Sequence, residues 1–181
     1  KDLPGANTAG FNTTVVGALP LETSQTMNDS WGFRLNDHAF KSPRTLIREL
    51  VNAAGRNANF LLNIGPMPDG MIQPEFVANL TAIGLWMSRR GEAIYGTRGG
   101  PIPPRPWGVT TQKGDRVYLH ILDWSDRALV IPALQRVVKS ARTLSDGLPL
   151  VVRQTPEGVT IVLPARLLDQ TDEIIVLELG R

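Results

Sequence analysis

Residues 59–70 read NFLLNIGPMPDG, and between Phe60 and Ile64 only Asn63 interrupts the apolar side chains. A short run without polar alternation predicts a strand buried on both faces, the environment of a parallel strand flanked by helices. Asp69-Gly70 then marks a turn. Upstream, Ser42 is placed to cap a helix that Pro43 opens, with Leu46, Ile47, Leu50, Val51 and Ala54 on one face and Gly55 at its end. Downstream, Pro74 opens a second helix running to about Arg90, whose expected buried face carries Phe76, Val77, Leu80, Ile83 and Met87. Helix, strand, helix with short connections is a piece of an α/β fold. One strand and two helices cannot satisfy their own backbone groups or cover their own apolar faces, so neighbouring strands are expected from elsewhere in a longer protein.

The character changes near residues 97–108, TRGGPIPPRPWG, where Gly and Pro fill more than half the positions. This stretch reads as a linker, dividing a region 1–100 from a region 101–181. Beyond it, strand-like runs follow one another: WGVTTQ, RVYLHILDW, ALVIPAL, the residues around VVKSARTL, LPLVVRQT, GVTIVLPA and EIIVLELG. Lys113-Gly114-Asp115 and Pro156-Glu157-Gly158 fall where hairpin turns belong. Short strands at close spacing predict an antiparallel β-sandwich.

Composition narrows the function. Hydrophobic residues make up 42% of the 181, enough to bury a core. The formal net charge is +2, and Lys and Arg are scattered, with Arg89-Arg90 the only basic doublet. Nucleic acid is therefore a poor partner. There is no cysteine, which excludes disulfides and thiolate chemistry. His38 and His120 are isolated from each other, so no metal site is expected, and nothing in the sequence calls for a cofactor. No apolar run approaches the roughly 20 residues of a helical membrane span. The N-terminal residues lack the basic start and apolar run of a signal peptide. Sequons at Asn12, Asn28 and Asn79 are short patterns of little weight.

Residues 21–33, LETSQTMNDSWGF, follow neither a helical nor an alternating period. They fall in a segment, 1–42, that reads as irregular, with turns at Pro4-Gly5 and Leu19-Pro20. One carboxylate (Glu22), several hydroxyl and amide groups and a lone Trp31 thus stand in what reads as a loop. Asp37, in RLNDHAF, reads as part of a turn leading into the capped helix. His120 lies in an apolar strand, facing outward or donating inside the sandwich. Trp107 and Trp124 suit an inter-domain contact or the core.

ETSQTMNDSWGF, KSPRTLIRELV, NFLLNIGPMPDG and RRGEAIYGTRGGP, in this order and spacing, closely resemble the C-terminal third of the α-L-fucosidases of glycoside hydrolase family 29. The resemblance runs from about Leu19 to Pro101 and continues more loosely beyond. It implies α/β plus all-β architecture: the C-terminal portion of a (β/α)8-like catalytic barrel followed by an antiparallel β-sandwich. It implies hydrolysis of terminal α-L-fucose with retention of configuration, using two carboxylates about 5–5.5 Å apart. The nucleophile and the His residues that grip the sugar are expected upstream of Lys1. Glu22 is then the candidate general acid/base, its carboxyl expected to stay protonated near an ionised Asp. Asp37 is its rival, and Trp31 is the candidate wall against the methyl side of fucose. The implied partners are a fucosylated glycan or glycoconjugate and the rest of the barrel, and the implied location is periplasmic or secreted. A non-catalytic carbohydrate-binding or structural module, and a related glycosidase for another sugar, are the alternatives.

Overall fold

The computed structural model describes residues 21–123, 126–163 and 171–180. The turns at Pro4-Gly5 and Leu19-Pro20, the sequon at Asn12 and Trp124 lie outside the described residues. The chain opens as strand β1 (Leu21–Thr26), helix α1 (Pro43–Gly55), strand β2 (Ala58–Asn63) and helix α2 (Pro74–Arg90). β1 and β2 pair in parallel from Leu21 opposite Ala58 to Thr26 opposite Asn63. A parallel pair needs a crossover, and α1 supplies it.

β1 corrects the reading of 1–42 as irregular throughout: Glu22 stands on a strand, not in a loop. The run LETSQT has no apolar alternation because its two buried side chains, Thr23 and Thr26, are hydroxyl residues on opposite faces of the strand, where Val or Ile would be usual. α1 follows its sequence signals closely. Ser42 accepts a hydrogen bond from the Thr45 amide at 3.1 Å, Pro43 occupies the first turn, and Leu46, Ile47 and Val51 are buried.

After a 3₁₀ turn at Gly91–Ala93 come β3 (Arg98–Gly99), β4 (Gly108–Lys113), β5 (Arg116–Ile121), β6 (Ala128–Pro132), β7 (Val138–Thr143), β8 (Pro149–Thr155), β9 (Gly158–Val162) and β10 (Glu173–Leu179). All seven expected runs are strands. They form one antiparallel sheet in the order β3-β4-β5-β10-β7-β8-β9-β6, curled so that its two ends share a core, rather than two separate sheets. Val117, Leu119, Ile175 and Leu177 meet Leu129, Ile131, Val159 and Ile161 across that core, with Trp107 packed at its margin. The stretch read as linker contributes β3, and Ile102 is buried in the same core.

The opposite face of β4, β5 and β10 carries the helices. Ile47, Val51 and Trp86 pack on Val109, Tyr118, Ile174 and Val176. β5 and β10 are thus buried on both faces, which explains their nearly continuous apolar sequences. Gly55 lets α1 approach, since a Cβ there would stand 2.4 Å from the Val109 Cβ. His120 points into this seam, fully buried, with Nδ1 2.8 Å from Asp172 Oδ2 and Nε2 3.1 Å from Thr111 Oγ1. Thr111 in turn donates to the Ala93 carbonyl at 2.6 Å. The reading of His120 as outward-facing is set aside.

α2 departs from expectation on one face. Phe76 is buried and Ile83 and Met87 are half-buried, but Val77 and Leu80 are exposed, as is Leu61 on β2. These apolar side chains remain in water where no strand or helix among the described residues reaches them.

Candidate functional site

β1 and β2 run side by side in one direction, so the segments that follow them, residues 27–42 and 64–73, emerge at the same edge. In parallel α/β folds this C-terminal edge is where side chains gather around a ligand. The two segments are fastened together. Asn63 Nδ2 donates to the Trp31 carbonyl at 2.7 Å. Gly65 lies against the Gly32–Phe33 peptide so closely that a Cβ would stand 2.7 Å from the Gly32 carbonyl carbon and 2.8 Å from the Phe33 nitrogen. The motifs SWGF and NIGP, 32 residues apart at the Trp31–Asn63 contact, are two halves of one junction. Trp31, held by its own backbone, leaves its ring 47% exposed at this edge.

The segment after β1 folds back on itself. Met27 is fully buried with Leu46 and Phe76, and its carbonyl accepts from the Lys41 amide at 2.8 Å, closing the loop at its base. Lys41 Nζ reaches Gln25 Oε1 at 3.1 Å and Glu49 Oε1 at 3.0 Å, and Asn79 Nδ2 donates to the Lys41 carbonyl at 2.9 Å. Phe40 meets Phe76 edge-on with ring centres 5.6 Å apart. Between these anchors Asp29, Ser30, Arg34, Asn36, Asp37, His38 and Ala39 line an open depression of about 460 Å³.

The two candidate acids occupy different places. Asp37 is buried in the loop, its Oδ1 accepting from the Ala39 amide at 3.1 Å. The Ser30 hydroxyl, with smaller help from the Ala39 and Asp29 amides and the Arg34 charge, holds its carboxyl below the ordinary aspartate value of 3.8, against the opposite pull of burial. Glu22 is exposed and stands opposite Asn59, at the second residue of β1. Four residues of extended chain, roughly 13 Å, separate it from Thr26 at the strand's end. Glu22, Asp37 and Trp31 are therefore not brought together: Trp31 and Asp37 share the loop, while Glu22 lies down the strand. Asn28 and Asn79 are buried, which closes both sequons to a glycan in the folded chain.

Asn63 and Gly65, which the sequence reads as a strand end and a turn, form this junction. The available signal was the pairing of two Gly-containing motifs, one after each strand of a parallel pair.

With this junction in place, comparison with known proteins is informative. The family model for alpha-L-fucosidase matches residues 6–92, which include both strands, both helices and both loops. Residues 6–92 belong to the alpha-L-fucosidase family. The tissue alpha-L-fucosidase of Bos taurus is 36% identical over 111 residues, covering 56% of this chain and 22% of that protein. The tissue alpha-L-fucosidase of Mus musculus is 33% identical over 150 residues, covering 75% of this chain and 32% of that protein. The chain thus spans about a quarter to a third of these relatives. Among solved structures, alpha-L-fucosidase isoenzyme 1 from Paenibacillus thiaminolyticus superposes with a TM-score of 0.82 at 34% identity, covering 90% of this chain and 40% of that one. A GH29 alpha-L-fucosidase from Bacteroides thetaiotaomicron, captured as a covalent intermediate with 2-fluoro-fucosyl fluoride, superposes with a TM-score of 0.81 at 26% identity, covering 90% of this chain and 38% of that one. The likeness extends through the curled sheet. Among the described residues no helix is long and apolar enough to cross a membrane.

Proposed function

We propose that the protein is a retaining exo-glycosidase that removes terminal α-L-fucose from glycans or glycoconjugates. Residues 1–100 then supply the later part of a (β/α)8-like catalytic barrel and residues 101–181 the β-rich domain behind it. The observation that carries this reading is the Trp31–Asn63–Gly65 junction, which unites the two family motifs at one edge of a parallel pair and presents an aromatic ring there. An exposed indole face suits the apolar face of a deoxysugar. Retention draws support from the covalent intermediate captured in the Bacteroides thetaiotaomicron relative. An exported location fits the sugar substrate and the relative named plasma alpha-L-fucosidase.

Within this reading the nucleophile is a carboxylate outside the described residues. The loop around Asp37 holds its carboxyl below the ordinary aspartate value, which argues against it as the proton donor of the first step. Glu22 is exposed and is the carboxylate to test first, but its place down β1 requires the reaction centre to reach the Glu22–Asn59 row. The experiment is turnover of an aryl α-L-fucoside by the full-length protein, beside β-D-galactoside and α-L-galactoside. Selective fucoside hydrolysis is expected, and its absence returns the chain to a binding or structural module. Glu22→Ala discriminates the acid/base: a loss on the order of 10²–10⁴-fold on unactivated fucosides with rescue by azide assigns the role to Glu22. Activity within a few-fold of wild type, without rescue, moves the role to a carboxylate outside the described residues.

A further inference from the structure

The junction loop 27–42 runs directly into α1, so whatever fixes α1 also fixes the loop. Two of the fixings come from the curled sheet through a single side chain. Arg48, midway along α1, donates from Nε to the Thr171 carbonyl at 3.0 Å and from a terminal NH2 to the Leu122 carbonyl. Leu122 directly follows β5 and Thr171 lies just before β10, so the guanidinium bridges the ends of two paired strands. The next residue, Glu49, binds Lys41 Nζ, which also holds Gln25 of β1, while the Lys41 amide closes the loop on Met27. α1 is therefore tied by polar contacts to the sheet at Arg48 and to the base of the loop at the next residue, Glu49.

We propose that Arg48 is a positioning residue for the fucoside-hydrolysing site, transmitting the place of the β-rich domain to the Trp31 loop. This rests on the fucosidase reading for its consequence in catalysis, but not for its mechanical content. The planar guanidinium offers separate, fixed N–H directions for the two carbonyls, which a single ammonium cannot reproduce. The helix also packs apolar side chains on the sheet, so losing Arg48 leaves α1 attached but free to shift along that contact. Small displacements of a site-bearing loop are costly to rate: an ångström is worth up to about 10²-fold.

The test uses the full-length protein with Arg48→Met, Arg48→Lys and a control, Ile161→Val, in the sheet's inner core away from α1. Amide hydrogen exchange at residues 28–41 is expected to quicken on the order of 10-fold in Arg48→Met and by less in Arg48→Lys, which retains the charge and one bond. Ile161→Val should leave those amides at the wild-type rate even where it lowers Tm. On an aryl α-L-fucoside, Arg48→Met should lose on the order of 10- to 100-fold in kcat/KM, mostly in kcat. Equal quickening in Arg48→Met and Ile161→Val, or none in Arg48→Met, overturns the proposal. Should Arg48→Met fail to fold, unchanged loop exchange in Arg48→Lys overturns it equally. If the wild-type protein does not hydrolyse the fucoside, the functional reading falls while the exchange measurement still decides the role of Arg48.

Discussion

The curled sheet and the βαβα layer treat their apolar residues differently. In the sheet, Val117, Leu119, Ile175 and Leu177 on one face and Tyr118, Ile174 and Val176 on the other are all buried by partners within the chain. In the layer, β2 buries neither Asn59 nor Leu61, and α2 leaves Val77, Leu80 and Leu85 in water. Both regions carry the sequence pattern of buried elements. The difference is whether a covering surface lies among the described residues. Apolar faces left exposed among the described residues mark where a further covering surface would pack.

This contrast can be broken by mutation. The largest effect is expected at the seam joining the two regions. Asp172→Ala strips His120 of its acceptor in a fully buried site and should cost roughly 3 kcal/mol in urea unfolding. Next comes Gly55→Val, which drives new atoms into Val109 and should cost about 1–3 kcal/mol by separating α1 from β4. Leu61→Ala sharpens the contrast most. In the 181-residue chain it should change stability by no more than about 0.5 kcal/mol, as at other exposed positions. In the full-length protein it should cost about 2–3 kcal/mol, as a core truncation does. Equal effects in the two backgrounds would mean that nothing covers β2.

The smallest effect depends on pH. Asp37 has its folded carboxyl held below the unfolded value of 3.8, so its contribution is present above that value and is lost as pH falls through the lower folded one. Asp37→Asn should therefore lower Tm near neutrality, and the gap to wild type should close as the solution is acidified below about 3.8. A gap that stays constant across this range would remove the carboxylate's ionisation from the account.

Much of this was legible in the sequence. α1 carried its cap, its opening Pro and its closing Gly in order, and the apolar runs marked seven strands, because local chemistry and burial agree there. β1 was missed because LETSQT buries threonines instead of aliphatic side chains, so no alternation betrayed it. A parallel β2 nonetheless demanded a partner strand. Curling of the sheet was invisible because two sheets and one folded sheet bury the same alternate residues. At the site, the sequence reads Glu22 and Trp31 as sharing one loop, whereas Glu22 stands on β1. Without β1, nothing indicated that Glu22 lay along a strand instead of beside Trp31. The links His120–Asp172 and Arg48–Thr171 join residues 52 and 123 positions apart, beyond any local pattern.

The central claim is that the Trp31–Asn63–Gly65 junction belongs to the active edge of a retaining α-L-fucosidase. It is tested most directly by ¹H NMR of the full-length protein acting on an aryl α-L-fucoside. Retention predicts that the first sugar signal to appear is the α-anomer of free L-fucose, with the β-anomer growing only as mutarotation proceeds. Initial release of the β-anomer would contradict the two-step mechanism, and the absence of any free fucose would contradict the assignment itself.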